Sequence, residues 1–218
     1  MPRKYVDARL YVKDLESRGE LLDTLKLVKG MGYSKVGLSV DLDDPTIDVS
    51  STCEKVGIGF GLTCAIDMTL GNWYKKAAEM RKKVNYLAAL PRNLDQCRKA
   101  TKTELFDAVI LPPIGTIVFD KVAAEQACTR EMCVEVDLSY LLNIWRAGFE
   151  KIIGVLRLEL SIARKSKVPI IVASGAKSIF QVRDPITSAA IASSILGLPK
   201  IYALNSISSF AEKLIEGG

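Results

Sequence analysis

An α/β architecture of about seven parallel strands, each followed by a helix, is what this sequence predicts, on three observations. The first is a set of short apolar runs without polar alternation, such as residues 168–173 (VPIIVA), which suit strands buried on both faces. The second is that each run is followed by apolar residues at helical spacing, so that strand and helix alternate along the chain. The third is punctuation. Asp184-Pro185 opens a helix, because Asp caps free N–H groups and Pro suits the first helical position, and Gly197 with Pro199 beyond it closes the helix. Such alternation implies parallel pairing through right-handed crossovers. Periodicity alone leaves a closed barrel and an open doubly wound sheet both available.

In chain order, residues 5–12 form the first strand. Ser17 and Glu20 have the spacing of a capping box, and Leu21, Leu22, Leu25 and Val28 make an apolar helical face ending at Gly30 and Gly32. Residues 35–40 give the second strand, and Ser51 with Glu54 caps a short helix ended by Gly57. The third strand lies within 58–68, where Gly59 and Gly61 mark a bend or a close backbone approach. Helix 73–83, strand 84–90, helix 94–102 and strand 106–111 follow, the last ended by Pro112-Pro113. A helix over 119–131, a strand over 133–137 and a helical stretch over 140–166 lead to strand seven at 168–173. Two short helices turning near Asn205-Ser206 finish the chain. Trp73 and Trp145 fall on amphipathic helices, where packing is their expected role. With 218 residues, 49% of them apolar, the whole span 1–218 reads as one domain.

Several function classes drop out early. No stretch approaches the roughly 18 apolar residues of a membrane span, and the charged N-terminus enters a strand with no signal-peptide hydrophobic region. Five cysteines without C-x-x-C spacing, in apolar surroundings, read as reduced core residues of a cytoplasmic protein with no membrane contact. There is no histidine at all, which removes imidazole-held catalytic metals and an imidazole base for a Ser or Cys nucleophile. Asp7, Asp67, Asp107, Glu135 and Asp137 could lie at strand ends and hold Mg²⁺ through carboxylates alone. They could equally be loop caps or partners of nearby Arg. The expectation is a fold that needs no tightly bound metal ion.

The net charge of +5 is uneven. Residues 61–102 hold nine Lys/Arg against three Asp/Glu, whereas 1–60 hold nine against ten and 103–218 twelve against twelve. The whole excess therefore lies on the helices over 73–83 and 94–102 and their flanks. Neighbouring helices of a barrel would place it on one outer face. That face is either a solvated surface or a phosphate-binding one.

Longer motifs carry a family resemblance. Ser174-Gly175-Ala176 is followed by Arg183-Asp184-Pro185 and by an apolar helix ending in Gly197-Leu198. The opening strand (YVDAR, residues 5–9), the run over 106–111, the segment MCVEVDLSYLL (132–142) and the basic helix GVLRLELSIARKSK (154–167) complete the pattern. Together they resemble the thirty-kilodalton subunit family of ribonuclease P, whose archaeal members are called protein component 3. The likeness spans nearly the whole chain and is strongest from residue 84 onward. It is weak over 41–74, and the ILPPIG segment lacks the polar, often basic residues common there in relatives.

The resemblance implies an irregular TIM-barrel-like fold related to metal-dependent phosphoesterase barrels. It implies a non-catalytic protein subunit of a ribonucleoprotein endoribonuclease that removes the 5′ leader of precursor tRNA and leaves a 5′-phosphomonoester. The chemistry would belong to Mg²⁺ ions held by the catalytic RNA, with no cofactor bound by the protein. The implied partners are ribonuclease P RNA, precursor tRNA indirectly, ribonuclease P protein component 2 in a two-plus-two assembly, and the other ribonuclease P protein subunits. The competing expectation is a stand-alone barrel enzyme acting on a small phosphorylated substrate.

Candidate site residues follow from both lines of reasoning. Lys177 and Arg183 stand at the exit of strand seven, where α/β folds place their working groups. Arg183 is expected either to bind RNA phosphate bidentately or to brace the barrel end by pairing with Glu135 or Asp137. Lys82, Lys83, Arg92, Arg98 and Lys99 represent the basic segment as RNA contacts. Arg157, with Glu159, Arg164 and Lys165, reads as a solvated helix face, and Arg157 joins the RNA-binding set. Ser174-Gly175-Ala176 suits a phosphate-binding loop and a plain strand-to-helix turn about equally.

Overall fold

Seven parallel strands lie side by side in sequence order: β1 (Tyr5–Tyr11), β2 (Tyr33–Ser39), β3 (Gly59–Asp67), β4 (Tyr86–Leu90), β5 (Ala108–Ile110), β6 (Cys133–Asp137) and β7 (Ile170–Ala173). The computed structural model describes residues 3–17, 19–41, 49–143 and 148–216. Backbone bonds also join the two edge strands: Gly175 N donates to Arg9 O at 3.1 Å and Tyr11 N to Ala176 O at 2.9 Å. The sheet is thereby a nearly closed TIM-like barrel, and the open doubly wound alternative is set aside. No helix among the described residues is long and apolar enough to cross a membrane.

The helices are α1 (Val12–Ser17), α2 (Leu21–Gly30), α3 (Ser50–Val56), α4 (Trp73–Arg81), α5 (Leu94–Lys102), α6 (Lys121–Thr129), α7 (Leu138–Asn143), α8 (Phe149–Lys165), α9 (Pro185–Ser194), α10 (Lys200–Ser206) and α11 (Ser209–Ile215). One set of strand residues, among them Ile66, Leu87, Val109, Val134 and Val172, packs outward against the helices. The opposite set, including Ala88, Ala108, Ile110, Ile171 and Ala173, faces the barrel interior together with Ala211 and Ile215 of α11. Helix α11 therefore lies across the strand N-termini. A Cβ at Gly61 would stand 2.7 Å from Ile215, which accounts for the glycine as a close backbone approach.

Local signals held in part. Asp184 accepts from Thr187 N at 3.0 Å with Pro185 at the first helical position, and Gly57 ends α3 in the left-handed region; Asn93, not singled out in the sequence, caps α5 through Gln96 N at 2.9 Å. Both expected capping boxes are corrected. Ser17 is the last residue of an unforeseen helix, α1, and its hydroxyl donates back to Asp14 O at 2.8 Å. Ser51 lies inside α3, which begins at Ser50 with no side-chain cap. The stretch over 140–166 is two helices, α7 and α8, and Trp145 lies outside the described residues. Trp73 stacks on Phe106, ring centroids 6.1 Å apart, as a packing anchor. Four cysteines are buried and free as expected, while Cys128 is exposed.

Gly175 shows how tightly the closure is built. Its φ is +59°, and a Cβ there would fall inside the Asp137 carboxylate. Gly175→Ala is expected to destabilise the protein by about 2 kcal/mol or more, from left-handed strain plus the clash. Gly154, inside α8 with open space around it, is the control. Gly154→Ala should stabilise by about 0.5–1 kcal/mol, since glycine is the poorer helix former. Denaturant titration of both variants checks the pair of signs.

Candidate functional site

The barrel interior is polar at the exit end of the strands, and one buried ion pair organises it. Arg9 of β1 and Glu135 of β6 are both fully buried; Arg9 Nε and Nη2 donate to the two Glu135 oxygens at 2.6 and 2.9 Å. Arg9 Nη1 donates to Ser39 Oγ of β2 at 3.1 Å, and the Tyr86 hydroxyl of β4 donates to Glu135 Oε2. The guanidinium also lies 5.4 Å from the centroid of the Tyr86 ring. Burial works against the Arg9 charge, but Glu135 outweighs it and holds the guanidinium above its ordinary range. One carboxylate thus ties β1, β4 and β6 together, with β2 joined through Arg9.

Two aspartates flank this pair. Asp7 Oδ1 accepts from Ser174 N at 2.9 Å and Arg9 N at 3.3 Å, while its buried Oδ2 accepts no hydrogen bond among the described residues. Asp137 Oδ1 accepts from Ser139 N at 2.9 Å and Ser139 Oγ at 2.6 Å, and Oδ2 from the Tyr11 hydroxyl at 3.3 Å. Burial pushes each carboxyl up to about 6. Asp67 is bonded by Arg92 at 2.9 Å, and Asp107, at the opposite end of the barrel, by Arg81. Of the five acids considered for Mg²⁺, every one caps a loop or pairs with Arg. Among the described residues no three His, Cys, Asp or Glu side chains gather to hold a metal ion.

Ser174-Gly175-Ala176 is the seam of the barrel. Ser174 N is spent on Asp7, Gly175 N on Arg9 O, and Ala176 N on Ser174 Oγ at 3.2 Å; Lys177 N goes to Gln181 Oε1 at 2.7 Å. With these four amides engaged, the motif is a strand-to-helix turn that closes the barrel, and it offers no nest for a phosphate.

The expected cations do not converge. Lys177 and Arg183 are at the strand exits: Lys177 Nζ sits 4.7 Å from the Tyr11 ring centroid, and Arg183 Nη1 donates to Phe180 O and Val182 O, both at 2.7 Å. The brace to Glu135 or Asp137 expected of Arg183 is absent, because Arg9 holds Glu135 and Arg183 ties down its own loop. Arg98 pairs with Asp120, the cap of α6, and Lys99 with Asp95 at 2.8 Å. Arg157 donates to Ile195 O at 2.7 Å and Ser194 O at 3.2 Å, closing the end of α9. Lys82 and Lys83, at the opposite end of the barrel, are exposed and have no ion pair among the described residues. Glu159 is not on a solvated face. It is buried, its Oε1 accepts from Val118 N at 2.6 Å and Phe119 N at 2.8 Å, and burial raises it to about 7. Arg9 and Tyr86 inside the barrel, and Glu159 buried on α8, are structural centres not foreseen from the sequence.

Two predictions follow from this geometry. Arg9→Met strands a buried carboxylate and should cost about 3–5 kcal/mol, whereas Arg9→Met with Glu135→Leu should cost less than the single change. A double-mutant cycle in denaturant reads the difference. For pH, the folded-state values of Asp7, Asp137 and Glu159 lie above the ordinary 3.8 and 4.5, so the folded protein binds more protons than the unfolded chain between about pH 4 and 7. Stability should therefore rise on acidification from pH 7 to 5, by about 1 kcal/mol or more given about 1.4 kcal/mol per pKa unit. Asp7→Asn, isosteric with the protonated acid, should flatten that rise. Asp67, Asp120 and Asp184, held below the ordinary range, lose their contribution only at lower pH.

Comparison with known proteins gives a consistent picture. The profile of the RNase P subunit p30 family matches residues 5–218. Ribonuclease P protein component 3 of Methanosarcina barkeri is 29% identical over 96 residues, which is 44% of this chain and only 40% of that protein's length. In structure, the chain resembles a chain of archaeal ribonuclease P solved with mature tRNA, at TM-score 0.77 and 18% identity, covering 98% of this chain and 94% of that one. It also resembles A. niger ochratoxinase, at TM-score 0.60 and 9% identity, over 96% and 70% of the two chains. At these identities the structural likenesses speak for the barrel fold alone. The match over residues 5–218 goes further: the chain belongs to the RNase P subunit p30 family.

Proposed function

We propose that this chain is a protein subunit of archaeal ribonuclease P, which assists the catalytic RNA in removing the 5′ leader of precursor tRNA. Family membership over residues 5–218 is the observation that carries the proposal. The interior chemistry supports it. At the strand exits, where barrel enzymes keep their reacting groups, Glu135 is neutralised by Arg9 and the seam amides are spent. Such an end is suited to holding the barrel shut. The alternative of a stand-alone barrel enzyme acting on a small phosphorylated substrate finds the amides of residues 174–177 engaged and no cluster of three metal-ligating side chains among the described residues.

The chain's own contribution is then electrostatic. Folded RNA packs phosphates closely, and lysines that approach the backbone relieve that repulsion and lower the Mg²⁺ needed to hold the fold. The Mg²⁺ that supplies the catalysis is held by the RNA. Of the eight bases singled out, Lys82 and Lys83 are the two whose side chains have no hydrogen bond, ion pair or ring contact among the described residues to give up on meeting phosphate. The partner subunits, protein component 2 among them in a two-plus-two assembly, and a cytoplasmic setting belong to this proposal.

The test is reconstitution. Ribonuclease P RNA, with its other protein subunits, should cleave precursor tRNA at a lower Mg²⁺ concentration when this chain is added. An unchanged Mg²⁺ requirement, or turnover of a phosphorylated compound by the purified chain without RNA, overturns the reading.

A further inference from the structure

Charge is distributed unevenly between the two ends of the barrel, with Lys121, Lys151, Lys177 and Arg183 among the bases that stand at the exits. Because all seven strands are parallel, every helix-to-strand connection lies at one end and every strand-to-helix connection at the other. Each strand exit ends in or is followed by an aspartate, from Asp14 after β1 to Asp184 after β7. Each of the six strand entries after β1 is preceded by a base: Lys29 before β2, Lys55 before β3, Lys82 and Lys83 before β4, Lys102 before β5, Arg130 before β6, and Lys165 with Lys167 before β7. The uneven composition of residues 61–102 is a local part of this ring.

Most acids at the entry end are already matched. Arg81 holds Asp107, Lys35 holds Glu216 at 2.6 Å, Lys213 approaches Glu131 at 3.7 Å, and Arg130 approaches Glu104 at 3.9 Å. Glu54, Glu79 and Glu212 remain. Against them stand Lys55, Lys82, Lys83, Lys102, Arg164, Lys165 and Lys167, all exposed and without an ion pair among the described residues. Helix dipoles alone do not account for them. Six helix ends at roughly half a negative charge each could absorb about three cations.

Lys167 adds an independent observation. It takes a left-handed backbone, φ 60°, in the connection from α8 to β7, a conformation that favours glycine. Glu131 takes the same backbone, φ 53°, before β6, and at Lys167 a glycine would relieve the strain while removing the charge.

We infer that the strand-entry end of the barrel, opposite the end where barrel enzymes work, is the face that docks on the phosphate backbone of RNA. The inference rests on the proposed ribonuclease P role and assigns its contact surface. Spread around the rim rather than along one helix, the lysines suit a broad, sequence-independent contact in which affinity comes from counterion release.

The experiment is binding to ribonuclease P RNA across a salt titration. Two rim pairs, Lys55→Gln with Lys102→Gln and Lys165→Gln with Lys167→Gln, are compared with a control pair at the strand exits, Lys121→Gln with Lys151→Gln. Each rim pair should flatten the plot of log affinity against log salt by about one and a half units, at roughly 0.7–0.9 per lost phosphate contact, and the control pair should not. Lys167→Gly should flatten the slope by nearly one unit while melting no lower than wild type, since it removes a charge and relieves the backbone at once. Equal effects at both ends, or rim variants that lose thermal stability and keep the wild-type slope, overturn the assignment. If the wild-type chain itself shows no salt-dependent binding, the ribonuclease P reading falls with it; if wild type binds and the rim variants match it, the rim alone falls.

Discussion

A carboxylate buried at the middle of a barrel must be answered on every side, and the answer to Glu135 sets much of this structure. Its two oxygens take a bidentate guanidinium from Arg9 and a hydroxyl from Tyr86, and Arg9 in turn takes Ser39. Four strands are thereby locked to a single charge. A slip of any of them by one residue would turn its polar group outward and leave a buried ion without a partner, at a cost of several kcal/mol. Replacing the pair by apolar side chains could pack as well, so its value lies in fixing which register is allowed. Across the strands Glu135 is flanked by Ile110 and Ile171, and the same interior cluster holds the small residues Ala88, Ala108 and Ala173.

The seam between β7 and β1 depends on the same centre. The edge strands share only a few backbone bonds, and the rest of the closure is made by Asp7 reaching Ser174 and by Asp137 lying where a Gly175 side chain would stand. Both carboxyls are adjacent to the Arg9–Glu135 pair, and the negative charge of Glu135 helps to raise both. Closing the barrel therefore costs charge at the strand exits. Protonation of either aspartate relieves that cost, so the exit end responds to pH although no histidine is present.

How much of this was legible depends on the range of the interaction that decides it. Strands such as 133–137 and the cap at Asp184 are settled by residues within a turn of each other and are read correctly from the sequence. The capping boxes at Ser17 and Ser51 failed for an equally local reason: the same spacing fits a residue inside a helix as well as one before it. Arg9 and Glu135 are 126 residues apart, and nothing in periodicity links them. Glu159 is different, because a signal existed. It is three residues after Leu156 and four before Ala163, both buried, and so shares their face of α8; reading it by charge rather than by position hid that. The basic excess over 61–102 likewise has to be read by position. Arg81, Arg92 and Arg98 are cancelled by Asp107, Asp67 and Asp120, two of which lie outside that segment.

Parallel topology then explains why the two ends of the barrel differ. Acids near helix N-termini and bases near helix C-termini are both favoured by the helix dipole, and in a fold whose helices all run the same way these small local preferences add up to an end-to-end separation of charge. At the exit end the acids are consumed by capping, by Arg92, Arg98 and Arg9, and by the seam. At the entry end helix α11 covers the interior, so the lysines around it cannot reach inward to a buried partner. They are left in solvent on a broad rim, with more positive charge than the helix ends can use. An active-site pocket requires the exit end to be open and its amides free. Here Asp7, Asp137 and the amides of residues 174–176 are spent on closure at that end, and the inferred contact with a polyanion lies at the other end of the barrel.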